Sequence, residues 1–397
     1  MTKLSDRINQ LSESQTIAMA RKARELTEQG VDIISLSLGE PDFHTPTFIK
    51  DAAKKAIDDN FTYYTHVSGY VELRKAIAEK FKRDNGLNYS PAQIVVSTGA
   101  KQSIANVVLS LINPGDEVIV PAPYWVSYLE VIKLAEGQPV IVPAGIEQDF
   151  KITPQQLKQA ITPKTKMMIF STPCNPTGSV YSKSELLALA EVLKQHPNVY
   201  VLSDEIYEHI NFANGHESLA QFDFIKEQVI TINGVSKGFA MTGWRVGFIG
   251  APLWIAQACD KMQGQITSAT SSISQKATFA AMEMPVASIK PMRDAFLKRR
   301  DLVVKLLNEI PGLRSNIPQG AFYVFPDASA YYGKSFNGTT IHNSTDLCSF
   351  LLSDGHVALV PGIAFGDDNC IRISYATSEE KLKEALVRIK ISLSKLI

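Results

Sequence analysis

The chain has 397 residues, 45% hydrophobic and 20% charged, a globular composition that excludes a mostly disordered protein and leaves material for more than one buried core. Lys plus Arg number 40 and Asp plus Glu number 40, so the formal net charge is zero and no long-range field draws in nucleic acid or an acidic membrane surface. Cys174, Cys259, Cys348 and Cys370 lie far apart without C-x-x-C spacing, which suggests neither a zinc cluster nor a redox pair and points to a reducing compartment.

The N-terminus, MTKLSDRINQLSESQ, lacks the apolar core of a secretion signal, and no run of about 18 apolar residues follows, so a soluble cytoplasmic protein is expected. From Thr16 to Gly30, Ile17, Ala20, Ala23 and Leu26 recur every three residues, with Arg21, Lys22 and Arg24 on the polar side, predicting one amphipathic helix with a glycine stop. VDIISLSLGEPDF then alternates into a short strand that breaks at Gly39 and Pro41. From Gln93 the order is the strand QIVVS, the helix KQSIANVVLSLI, the turn NPGD and the strand EVIV. Alternation continues through KMMIF at 166–170, a helix opening at the capping box Ser182 to Glu185, then NVYVLSD, QVITIN and VGFIG. Strands this apolar, separated by helices, predict an α/β fold with a mostly parallel sheet covered on both faces.

Beyond Pro291 a helical pattern runs to about Ile310, after which GLRSN, GAFYVF, HVALV and IRISYA read as shorter strands. Thr377 to Glu380 reads as a capping box for a final helix. The expected organisation is a large domain at 48–288 and a smaller α/β domain assembled from 1–47 and 289–397.

The chemistry concentrates in NGVSKGFAMTGWRVG, residues 233–247. Lys237 sits in a glycine-rich apolar loop, and a lysine held against apolar surface sheds its proton more easily and becomes a nucleophilic amine able to form a Schiff base. Arg245 offers a fork for a phosphate, and Ser236 a hydroxyl donor. Alone, Lys237 reads as an ordinary surface lysine; its context decides.

That segment resembles the pyridoxal-phosphate attachment segment of the class I aminotransferases of fold type I. The resemblance extends through SLGEPDF (37–43), GAKQ (99–102), PYWVSY (123–128), NPTG (175–178), SDEIYE (203–208) and RISYAT (372–377), in the family's order, and is closest to the aspartate and prephenate aminotransferases. It implies pyridoxal 5'-phosphate held covalently by Lys237, which also shuttles the substrate proton. Asp204, at the carboxyl end of NVYVLSD, then keeps the ring nitrogen protonated; by itself it reads equally as a cap or turn residue. Gly99, Ala100 and Lys101 open a helix whose N–H groups cradle the phosphate, with Ser236 and Arg245 completing the cradle. Tyr64 resembles the phosphate-contacting tyrosine contributed by a neighbouring subunit, which implies a homodimer. Trp125 resembles the residue stacked on the ring, and Asn175 with Tyr207 the pair that bonds its phenolic oxygen.

Arg372 resembles the arginine that clamps the substrate α-carboxylate, with Asn175 and the backbone of Gly39 alongside. Lys101 and Thr16 occupy positions resembling those that take a second carboxylate. The activity implied is transfer of an amino group between L-aspartate and 2-oxoglutarate. The alternative is a prephenate or broader aminotransferase, and behind it a lyase or decarboxylase sharing the lysine anchor. Against prephenate, some members carry a lysine shortly before an S-x-T segment, where this chain has Ser12. Cys174 and Gly234 also depart from the pattern: relatives have Ser or Asn at the first, and some have a phosphate-binding serine at the second. A nicotinamide oxidoreductase is disfavoured because no G-x-G-x-x-G follows the first predicted strand, and no segment is left over for a DNA-binding regulator.

Overall fold

The computed structural model describes residues 3–13, 15–213 and 215–397. Seven strands, β1 (Ile94–Ser97), β2 (Glu117–Ala122), β3 (Gln138–Pro143), β4 (Thr165–Ser171), β5 (Tyr200–Asp204), β6 (Val229–Gly234) and β7 (Gly247–Gly250), form one sheet in the order β1-β7-β6-β5-β4-β2-β3. β7 runs antiparallel to both neighbours, and the remaining pairs are parallel.

Alternation along these strands feeds two cores. Val118, Val120, Met167 and Ile169 face helices Ala100–Leu111, Ser127–Leu134 and Leu253–Ile266, whereas Ile119, Met168 and Phe170 face helices Thr47–Asp58, Val71–Asn85, Lys183–Leu193 and Ser272–Glu283. Each such side chain contributes about 1.5–3 kcal/mol on burial, so a sheet apolar on both faces needs helices on both.

A further core lies outside this sheet. Helices Lys290–Leu307, Ser344–Asp354 and Glu379–Ser394 pack with a three-stranded antiparallel sheet of β8 (Tyr323–Val324), β9 (Val360–Pro361) and β10 (Ile371–Ser374), ordered β9-β10-β8. Ile34 and Leu36 join that core, and Ile34–Ser35 pairs in parallel with Val357–Ala358. The N-terminal segment is thereby tied to the C-terminal third. The sheet is mostly parallel and covered by helices on both faces, as the alternating strands and helices predict. No helix among the described residues is long and apolar enough to cross a membrane.

Three local expectations are corrected. GLRSN forms no strand; only Arg314 bridges to Asp327, because Pro311, Gly312 (φ 89°) and Pro318 bend the chain out of any ladder. The final helix is capped by Ser378, whose hydroxyl accepts from the Lys381 N–H, so the cap lies one residue beyond the expected Thr377. HVALV is broken at Leu359 into two short pieces with different partners. The unanticipated strand β3 carries two prolines, which a sheet tolerates because β3 is an edge strand. The amphipathic N-terminal helix runs Gln15–Glu28, and Ser182 caps helix Lys183–Leu193 in a reciprocal box with Glu185.

Candidate active site

In a sheet of this kind the carboxyl ends of parallel strands open onto a shared crevice. β1 ends just before Gly99 and Ala100, β2 before Trp125, β4 before Asn175, β5 at Asp204 ahead of Tyr207, and β6 before Ser236 and Lys237. β7 runs the other way, so its start, preceded by Arg245, reaches the same edge. A cavity of about 330 Å³ opens there. Its walls include Thr16, Gly39, Ala100, Lys101, Trp125, Asn175, Asp204, Tyr207, Ser236, Lys237, Arg245 and Arg372, residues drawn from across the sequence.

Asp204 is buried, and burial pushes its carboxyl up to about 6 despite the bond its Oδ2 accepts from the Tyr128 hydroxyl at 2.7 Å and the Ile206 N–H at Oδ1, 3.3 Å. The Lys237 amine donates to the Gly39 carbonyl at 2.5 Å; burial brings it down to about 8, with Glu40 opposing and Arg372 and Arg245 assisting. Arg372 is also buried, donating from Nη1 to Asn175 Oδ1 at 3.1 Å and from Nη2 to the Ser37 carbonyl at 2.6 Å. Its guanidinium lies between the rings of Tyr323 (4.6 Å) and Phe365 (4.9 Å), and its Nε has no partner among the described residues. The Lys101 amine sits 5.0 Å from the Trp125 ring, lowered by burial and by Arg245.

Lys101, Lys237, Arg245 and Arg372 all face the cavity, and among the described residues none of them forms a salt bridge. Arg372 is buried and Lys237 half-buried, where a cation without a salt-bridge partner is costly, and the exposed Lys101 and Arg245 add their charge beside them, so the cavity suits anions. Gly99 lies behind Arg245 rather than on the cavity wall. A Cβ there would fall 2.3 Å from Arg245 Nη2, and its φ of +86° disfavours any side chain, so glycine is what lets the guanidinium lie against the start of helix Ala100–Leu111.

Tyr64 lies outside the cavity of its own chain and is 98% exposed. At Gly234 a Cβ would lie 2.9 Å from Gly247 Cα, so β6 and β7 leave no space for the serine of some relatives. Cys174 is a packing residue, its thiol raised by burial and its Sγ 3.8 Å from the Pro123 carbonyl. Ser12 turns its N–H to Glu130 Oε2 at 2.8 Å; Ser14, in the S-x-T segment, lies outside the described residues.

Two cavity phenols escaped the sequence reading. Tyr128 follows Trp125 by one helical turn, with the rings 5.5 Å apart, a spacing that was available in PYWVSY. Tyr323 was legible only as a strand residue of GAFYVF; its hydroxyl meets that of Tyr207 at 2.9 Å.

The lowered Lys237 amine has a direct consequence. In the cofactor-free protein, labelling of Lys237 by a neutral acylating reagent is expected to rise as pH passes through about 8, where the free amine becomes the major form, while surface lysines follow near 10. Peptide mass spectrometry across pH 6–11 reads both; a Lys237 profile superimposed on the surface lysines would refute the depression.

Residues 31–389 match the family described as aminotransferase class I and II. The chain is 49% identical, over 98% of its length and 82% of the relative's, to a bifunctional aspartate aminotransferase and glutamate/aspartate-prephenate aminotransferase of Petunia hybrida. It is equally identical to an aspartate/prephenate aminotransferase of Cereibacter sphaeroides, over 98% of each chain. Among solved structures, an aspartate aminotransferase from Rhizobium meliloti superposes with a TM-score of 0.97 at 43% identity, covering all of both chains. That from Thermus thermophilus, solved with maleate, gives 0.93 at 40% identity over 99% of this chain and 100% of its own. A family match of that length, with relatives so alike from end to end, makes this chain a member of the class I and II aminotransferases.

Proposed function

We propose that the chain is a pyridoxal-5'-phosphate-dependent aspartate aminotransferase, exchanging the amino group between L-aspartate and 2-oxoglutarate to give oxaloacetate and L-glutamate. The observation that carries the reading is charge: four cations without salt-bridge partners among the described residues line one cavity with a buried carboxylate, matching a ligand set of one phosphate and one dicarboxylate. The donor set fits the cofactor as well. A half-buried amine with lowered proton affinity, a buried carboxylate, and a glycine whose missing side chain lets Arg245 lie against a helix start are groups that suit its aldehyde, ring nitrogen and phosphate.

When bound, pyridoxal 5'-phosphate supplies an aldehyde for amines and a ring that accepts electron density from the substrate's α-carbon. Lys237 would hold the cofactor through its amine and would move the proton at the substrate α-carbon. Asp204, fixed by Tyr128, would hold negative charge at the ring nitrogen. The amides of Gly99 and Ala100, with Ser236 and Arg245, would hold its phosphate, Trp125 would cover its ring, and Asn175 with Tyr207 would bond its phenolic oxygen. Arg372, with Asn175 and the backbone at Gly39, orients the α-carboxylate through its unspent N–H groups, while Lys101 and Thr16 take the second carboxylate.

The reading includes a cytoplasmic homodimer in which Tyr64 of each subunit completes the neighbour's phosphate site, supported by its near-complete exposure. It also includes a small domain of 1–47 and 289–397 around a large domain of 48–288, supported by the shared core of Ile34, Leu36 and the C-terminal helices. A second reading, action on prephenate as well, is favoured by the names of the Petunia and Cereibacter relatives.

With the cofactor-loaded protein and aspartate alone, one oxaloacetate per active site is expected, and 2-oxoglutarate added afterwards should yield one glutamate. Release of carbon dioxide or ammonia instead would identify a decarboxylase or lyase, and absence of any product from aspartate would refute the substrate assignment.

A further inference from the structure

The two phenols at the cavity wall form one hydrogen bond between them. Tyr207 and Tyr323 are both buried, their hydroxyls are 2.9 Å apart, and the rings meet edge to face at 81°. Either hydroxyl is able to donate in that pair, which leaves one O–H proton unspent. Tyr323 is held tightly: β8 pairs it with Ser374, and its hydroxyl occupies the space a side chain at Gly39 would need, a Cβ there falling 2.5 Å from the oxygen. Its ring face carries the Arg372 guanidinium at 4.6 Å.

We propose that Tyr323 is a positioning residue that fixes the direction of this bond and couples the carboxylate site at Arg372 to the Tyr207 hydroxyl. The proposal rests on the reading above, in which Tyr207 donates to the cofactor's phenolic oxygen. If its proton is committed there, Tyr323 must be the donor and the Tyr207 oxygen the acceptor. A phenol that accepts a hydrogen bond donates more strongly in turn. Arg372 stabilises negative charge on Tyr323 and so strengthens its donation; a substrate carboxylate arriving at Arg372 offsets that charge and weakens the chain. Substrate occupancy is thereby reported to Tyr207 without any movement of Tyr207 itself.

The test uses the visible absorption of the cofactor-loaded protein, titrated with pH. A donor to the phenolic oxygen favours the deprotonated form, in which that oxygen carries more negative charge, so weakening the donor moves the transition upward. Tyr323→Phe keeps the ring under Arg372 and removes only the hydroxyl; it is expected to raise the midpoint by roughly half a pH unit, about a threefold change in the proton constant. In a Tyr207→Phe background the same substitution should change nothing, because its route is gone. Maleate, a dicarboxylate without an amine, should shift the midpoint less in Tyr323→Phe than in the parent protein. An equal shift with and without Tyr207, or no shift in either, overturns the proposal. A parent protein that shows no visible band, or does not convert aspartate, overturns the underlying reading instead.

Discussion

Replacing Lys237 with Ala is expected to lower turnover of aspartate and 2-oxoglutarate by roughly ten-thousandfold or more, since both the covalent anchor and the proton-moving group go with one amine. No neighbour substitutes for it. Arg245 and Arg372 do not deprotonate, and the Lys101 amine is held over Trp125. The fold should tolerate the change, because among the described residues the amine's one hydrogen bond is to the Gly39 carbonyl at the cavity wall, a loss of about 1 kcal/mol. Lys237→Arg is the sharper companion: it keeps the charge without a basic amine and should be as inactive as the alanine variant. Circular dichroism and thermal unfolding monitor the fold. Borohydride reduction followed by peptide mapping should find the cofactor on residue 237 in the parent protein and nowhere in either variant. Retention of more than about a hundredth of the parent turnover by the alanine variant would mean that another base moves the proton.

Much of this site was legible because its chemistry lies in contiguous segments at strand ends. Asp204 closes the apolar run YVLSD and Lys237 lies in the glycine-rich loop after VITING, but alone the first reads as a cap or turn and the second as a surface lysine, so it was the resemblance of their segments that marked both. Arg372 was marked by its segment, but its burial between Tyr323 and Phe365 was not, since those three come together only through β10 pairing with β8 and the packing of Phe365. Tyr323 was hidden for the same reason: its partners Tyr207, Gly39 and Arg372 lie 116, 284 and 49 positions away, and no local pattern encodes a contact of that kind. The misplaced cap at Thr377 was a choice between two adjacent hydroxyls that only backbone geometry decides.

Asp204→Asn should separate catalysis from stability. The amide is nearly isosteric and still accepts from Tyr128, so the cavity keeps its shape and loses only charge. A unit pair at contact, with an effective dielectric near 20, is worth about 4 kcal/mol, and losing it from the ring nitrogen's environment should cost about a thousandfold in turnover. Stability moves the opposite way in the cofactor-free protein. The folded carboxyl is raised to about 6 from 3.8, so the unfolded chain releases its proton first and stability falls as pH rises from 3.8 through about 6. Above that window the carboxylate is a burden of about 3 kcal/mol that the amide does not impose. Cofactor-free Asp204→Asn should therefore melt several degrees above the cofactor-free parent at pH 8, and the gap should close below pH 4. Melting curves at pH 4 and 8, with single-turnover rates on the loaded proteins, read the two effects. A variant both slower and less stable at pH 8 would show that the carboxylate is held by the fold for its own sake rather than for the ligand.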